Sequence, residues 1–104
     1  VKRSPKIVDV LKTARECIEA GRYYDTTHAR LRKSQRQISL AHVLYVIKNG
    51  YHEKSKDQYH AEYSDWTYSV RGKTIDKKDI RIAIAFDKDD MLIITVIQVA
   101  RVVE

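Results

Sequence analysis

Ile80-Arg81-Ile82-Ala83-Ile84-Ala85-Phe86-Asp87-Lys88-Asp89-Asp90-Met91-Leu92-Ile93-Ile94-Thr95-Val96-Ile97-Gln98-Val99 is the stretch that decides the fold class. Ile80, Ile82, Ile84 and Phe86 alternate with Arg81, Ala83 and Ala85, the period of two that marks a strand with an apolar face. The small alanines suggest a second covered face that a helix can approach closely. Asp87 to Asp90 reads as a compact turn. Met91 to Val99 is apolar on both faces, as expected of a strand inside a sheet.

Working upstream, Tyr63 to Arg71 sets Trp66, Tyr68 and Val70 against Asp65, Thr67 and Ser69, again with period two. Arg71-Gly72-Lys73 reads as the turn that follows. Tyr51 to Tyr59 is polar and aromatic, an edge strand or an ordered loop. Before Tyr51 the period becomes helical. Leu40, Val43, Leu44 and Ile47 recur at i, i+3, i+4 and i+7 behind the cap Ser39, and Ile38 is placed to staple onto Val43. Asn49-Gly50 ends that helix. His42 is expected on its exposed side. Thr26 or Thr27 caps a short basic helix over about His28 to Gln35, with Ala29 and Leu31 as its apolar anchors. Ser4-Pro5 opens a first helix along Ile7, Leu11, Ala14 and Ile18, with Val8 beside the stripe, and Gly21 stops it. Helices followed by strands predict an α+β domain, its helices on one face of an antiparallel meander of about four strands.

Composition narrows the function. The chain of 104 residues carries a net charge of +6, and a length in this range predicts one domain spanning 1–104. Residues 1–50 hold 11 Lys and Arg against 4 Asp and Glu, whereas residues 51–104 hold 9 against 10. All the excess positive charge therefore lies in the first half, which favours an anionic partner such as nucleic acid or an acidic protein. A solubilising surface is the plainer explanation. The lone Cys17 gives neither an internal disulfide nor a multi-thiolate metal site, and it fits a reducing compartment. No apolar run approaches the roughly 18 residues of a membrane span, and no secretory segment opens the sequence. The expected location is cytoplasmic.

The densest basic segment is His28 to Arg36. On a helix His28, Arg32 and Arg36 form one stripe, drifting by about 40° per step. Two guanidinium forks and an imidazole there can grip a phosphodiester, and the imidazole can move a proton near neutral pH. Arg30 and Lys33 add charge for nucleic-acid binding. Tyr51 and Tyr59 are the aromatic side chains best placed to stack on unpaired bases. The four histidines lack zinc-like spacing, so no metal and no cofactor is expected.

Thr27-His28-Ala29, Arg36-Gln37-Ile38-Ser39, Val43 and Gly50 together resemble the opening of a widespread bacterial domain family of unknown function. Trp66-Thr67-Tyr68-Ser69-Val70-Arg71-Gly72 and Ile93-Ile94-Thr95-Val96-Ile97 look like its strands. The resemblance covers about residues 22–100 and leaves residues 1–21 as an added helix. It implies kinship with RelE-type and barnase-like ribonuclease toxins, hence metal-independent RNA cleavage by attack of the 2′-oxygen on the adjacent phosphate. On that resemblance His28 is the general acid or base, Arg36 with Arg30 or Arg32 stabilises the phosphate charge, and Thr95 adds a hydrogen bond. An acidic antitoxin-like protein would be a partner alongside RNA. Gln37 stands where many relatives carry Gly. The alternatives are a non-catalytic nucleic-acid-binding or toxin-regulating domain, and a protein-interaction domain whose charge serves solubility.

Overall fold

Strand alternation and helical stripes meet in a single core. Ile80, Ile82 and Ile84 of one strand, Val70 and Tyr68 of the next, and Met91, Ile93 and Val96 of a third turn inward. Val10, Ala14 and Cys17 of the first helix, Ala29 of the second, and Val43, Val46 and Ile47 of the third close over them. Each large side chain buried this way contributes about 1.5–3 kcal/mol, so truncating Ile82 or Ile47 to Ala would cost about 2–5 kcal/mol. The computed structural model describes residues 5–62 and 64–99, and leaves the side chains of His28, Arg32 and Arg36 undescribed.

The elements run α1 (Val10–Ala20), β1 (Tyr23–Asp25), α2 (Thr27–Arg36), α3 (Leu40–Asn49), β2 (Tyr51–His52), a 3-10 turn (Lys54–Lys56), β3 (Gln58–His60), β4 (Asp65–Lys73), β5 (Asp79–Asp87) and β6 (Asp90–Gln98). The fold is α+β, with a six-stranded sheet in the order β1-β6-β5-β4-β2 and β3 also on β4. It is mixed rather than a four-stranded antiparallel meander, because β1 pairs parallel with β6, Tyr23 opposite Met91. Residues 51–60 form an interrupted strand along β4. Tyr51 stands opposite Arg71 and Gln58 opposite Thr67, with the 3-10 turn looping out between.

Several local expectations change. Residues 5–9 are not helical. Asp9 caps α1, its carboxylate accepting from Lys12 N at 3.1 Å, while Ser4 lies outside the described residues. The preceding residues cross to the sheet instead: Ile7 N donates to the Tyr68 hydroxyl at 3.0 Å, and Lys6 pairs with Asp57 over the Trp66 ring. Val8 is consequently fully exposed. Arg71-Gly72-Lys73 continues β4 rather than turning. The turn follows at Thr74, where Thr74 N donates to Lys78 O and Lys77 takes φ 65°. Gly72 serves a close crossing: a Cβ there would sit 3.1 Å from Gly50 Cα, and one on Gly50 would sit 2.4 Å from Arg71 O. The two glycines let the end of α3 rest on β4. His42 accepts from Ser39 N through Nδ1 at 3.3 Å, completing a reciprocal cap that the sequence alone did not disclose.

No helix covers the Ala83 and Ala85 face among the described residues. β6 is central, flanked by β1 and β5, and a bulge explains why it is apolar at both parities. Ala83 pairs with Thr95 and Ile84 with Ile93, so Ile94 is the extra residue. Met91 and Ile93 point inward before it and Val96 after it. Apolar residues thus occupy both parities of β6 because the parity changes, and Thr95 turns to the open face.

Candidate functional site

The seat of the basic helix is built residue by residue. Thr26 accepts from Ala29 N and caps α2. Its hydroxyl donates to Ile93 O at 2.7 Å and reaches Ile94 O at 3.4 Å, and its amide also donates to Ile93 O. The first turn of α2 is therefore tied to the β6 bulge. Ala29 is buried, and four residues on so is Lys33, only 5% exposed and ion-paired with Asp25 of β1. At the far end Gln37 adopts a left-handed conformation (φ 55°) and its N–H bonds the carbonyls of Lys33 and Ser34.

This seat corrects two expectations. Lys33 is the buried anchor of α2 and does not face a phosphate backbone. Leu31, expected as an anchor, is 55% exposed, because it stands about 200° round the helix from Ala29. Arg30 is exposed as expected. At 100° per residue, positions 28, 32 and 36 stand about 100°, 60° and 20° round α2 from Ala29, so the stripe drifts toward the buried line. Their side chains lie outside the described residues.

The aromatic pair is split. Tyr51 is exposed, but it sits on β2 at the edge remote from α2, three strand spacings or about 14 Å from β6. Tyr59 is half-buried and packs edge-on against Trp66, so it is not free to stack.

Thr95, by contrast, lies beside the seat of α2 along the chain and lines a hollow of about 180 Å³ on the open face. Ser69, Ala83 and Thr95 stand directly opposite one another on three adjacent strands, a floor of small side chains. Lys56, Gln58 and Arg81 rise around it. The 3-10 turn that carries Lys56 is fixed from below: Asp57 accepts from Ser69 N, His52 and Lys6, and the Ser69 hydroxyl donates to Lys56 O. Beside the hollow Glu53 takes Arg81 Nε on one oxygen at 2.5 Å and Arg71 on the other at 2.9 Å. Asp79 holds Arg71 through two further bonds. The Arg81 bond, with Arg71 adding to it, keeps the Glu53 carboxyl below its usual range, and the Arg71 bonds do the same for Asp79. These carboxylates lie too far apart in sequence to form a motif, so no local pattern marks them.

Among the described residues no three of His, Cys, Asp and Glu are grouped to hold a metal ion, and no helix is long and apolar enough to cross a membrane. Cys17 is buried, its thiol pushed up by desolvation, and its Sγ lies 3.4 Å from Asp89 O. No curated protein matches the chain. Residues 26–98 match the model of a domain of unknown function (DUF4258). That span begins at the cap of α2 and ends with β6, leaving α1 and β1 outside it although both pack on the shared core. The protein belongs to the DUF4258 family.

Proposed function

We propose that the protein is a metal-independent endoribonuclease whose site runs along α2 and reaches the β6 bulge. The observation that carries this reading is the bond from Thr26 to Ile93 and Ile94. His28 follows that bond by two residues on one strand of the contact, and Thr95 follows it by one on the other. His28 and Thr95, distant in sequence, thus lie two residues and one residue from the same junction, and bulges of this kind recur beside active sites.

The chemistry needs little more. The RNA 2′-oxygen attacks the adjacent phosphorus and the bond from phosphorus to the 5′-oxygen breaks, leaving a 2′,3′-cyclic phosphate and a 5′-hydroxyl. One proton leaves the 2′-hydroxyl and one reaches the 5′-oxygen, and His28 serves one of these transfers. Arg36, with Arg30 or Arg32, offsets the charge that builds on the phosphate oxygens. The Thr27-His28-Ala29 and Arg36-Gln37-Ile38-Ser39 segments resemble a bacterial domain family of unknown function, and the kinship with ribonuclease toxins that this resemblance implies supports the same assignment. An acidic protein covering α2 would regulate such an activity.

The test incubates the protein with structured and unstructured RNA in EDTA, beside His28→Ala and Arg36→Ala. Cleavage that is lost in the His28 variant is the expected result. Salt-dependent RNA binding without cleavage would replace the enzyme by a binding module, and neither binding nor cleavage would reject both.

A further inference from the structure

We propose that the open-face hollow over Ser69, Ala83 and Thr95 is a phosphate-ester site, with Lys56 and Arg81 as its cationic walls. This goes beyond the cleavage reading and does not need RNA to be cut. Four observations converge on it. The floor is made of small residues in register across three strands, so depth is built into the pairing and not left to mobile loops. The β6 bulge turns Thr95 outward, and its hydroxyl has no hydrogen-bond partner among the described residues.

The charges are also arranged. Arg81 uses Nε on Glu53, and its terminal nitrogens bond nothing among the described residues. The Lys56 ammonium is equally unengaged, although its backbone is anchored through Ser69. Of the charges around the hollow, Asp57 is matched by Lys6, and Glu53 and Asp79 match two of Lys56, Arg71 and Arg81, which leaves one positive charge for an anion. The Nε bond to Glu53, a carboxylate that Arg71 also holds, orients the Arg81 guanidinium before any ligand arrives, which lowers the ordering cost of binding.

The open face is polarised as well. At its other end a wider depression of about 450 Å³ is lined by Asp65 and Asp87 with Ala85, Leu92 and Ile94, and it would repel the same group. At about 180 Å³ the hollow is smaller than the range of drug-sized pockets, so it fits one phosphate with the adjoining part of a sugar rather than a whole cofactor. The phosphate can belong to an RNA backbone or to a free nucleotide, and the chemistry of recognition is the same.

An amide-resolved NMR titration separates these sources. The probes are adenosine 3′-monophosphate, adenosine, inorganic phosphate and a short 2′-O-methyl RNA, which a 2′-oxygen-dependent nuclease cannot cut. The nucleotide is expected to move the amides of Ser69, Ala83 and Thr95, and adenosine to leave them in place. Lys56→Gln, a surface change, is expected to weaken the nucleotide by about tenfold, the scale of one charge-assisted hydrogen bond. Thr95→Val, of the same shape, is expected to weaken it by less, with the spectrum otherwise unchanged. Tighter, salt-dependent binding of the 2′-O-methyl RNA identifies a backbone phosphate. Equal binding of inorganic phosphate and nucleotide, with no gain from the polymer, identifies a free phosphate compound. Shifts confined to α2, equal shifts with adenosine, or an unchanged affinity in Lys56→Gln would overturn the site while leaving the α2 reading intact.

Discussion

Replacing Lys33 by Met keeps the length and apolar stem of the side chain and removes only its charge. In the folded chain the Lys33 and Asp25 side chains are 7% and 17% exposed. Asp25 Oδ1 is already buried without a hydrogen-bond partner, so the ammonium on Oδ2 is what compensates the carboxylate. Removing one partner of a buried pair costs about 3–5 kcal/mol, and the residual exposure of Asp25 argues for the lower figure, about 3 kcal/mol. At about 4 °C per kcal/mol for a domain of this size, the midpoint of thermal unfolding should fall by about 12 °C. Urea unfolding followed by circular dichroism reads the same loss as a lower midpoint at constant slope. The double variant Lys33→Met with Asp25→Leu removes both charges and should regain most of the stability, since apolar replacement of a whole pair is often neutral. A loss under about 1 kcal/mol in the single variant, or a double variant no more stable than the single, would refute the anchoring role of Lys33.

Other variants test other parts of the fold. Gln37→Gly should stabilise the protein by up to about 1 kcal/mol in the same urea experiment, because Gln37 holds φ 55°, where a side chain is disfavoured. Gly50→Ala should lose about 1–3 kcal/mol, since the added Cβ would meet two backbone oxygens at 2.4 and 2.6 Å. Acid should destabilise the sheet through Glu53 and Asp79, whose folded-state pKa values lie below their unfolded ones through the bonds from Arg81 and Arg71. The unfolded chain then binds more protons, so this contribution is complete above about pH 5 and is lost as pH falls through the lowered values. Arg71→Gln should flatten that acid limb in a pH series of urea midpoints, and an unchanged limb would discount the network.

Much of the architecture was legible because local signals agreed with the final packing. Ser39 before the Leu40, Val43, Leu44 and Ile47 stripe fixes α3, and alternation fixes β5, because each pattern is confined to one element. Features that depend on distant partners were not legible. Arg22 to Asp25 reads in the sequence as a short extended piece, but nothing local reveals the parallel partner about 70 residues away. Gly72 reads as a turn because glycine usually marks one, whereas here its missing side chain admits Gly50 and Val46. The bulge hides behind an apolar run that looks central on both faces. For the site, helical spacing yields a stripe of His28, Arg32 and Arg36 as an expectation, and their side chains lie outside the described residues. It could not show that Lys33, of the same charge type, is buried, because Asp25 lies on a different element. Arg81 and Lys56 carry no local signal for the same reason: only the sheet register brings them to the edge of one hollow.

The most direct measurement of the central claim is the product of RNA incubated with the protein in EDTA, with end groups identified by mass spectrometry. The expected result is 2′,3′-cyclic phosphate and 5′-hydroxyl ends, no cleavage of 2′-O-methyl RNA, and loss of product in a folded His28→Ala variant. Cleavage of the 2′-O-methyl substrate, or undiminished cleavage by His28→Ala, would contradict it.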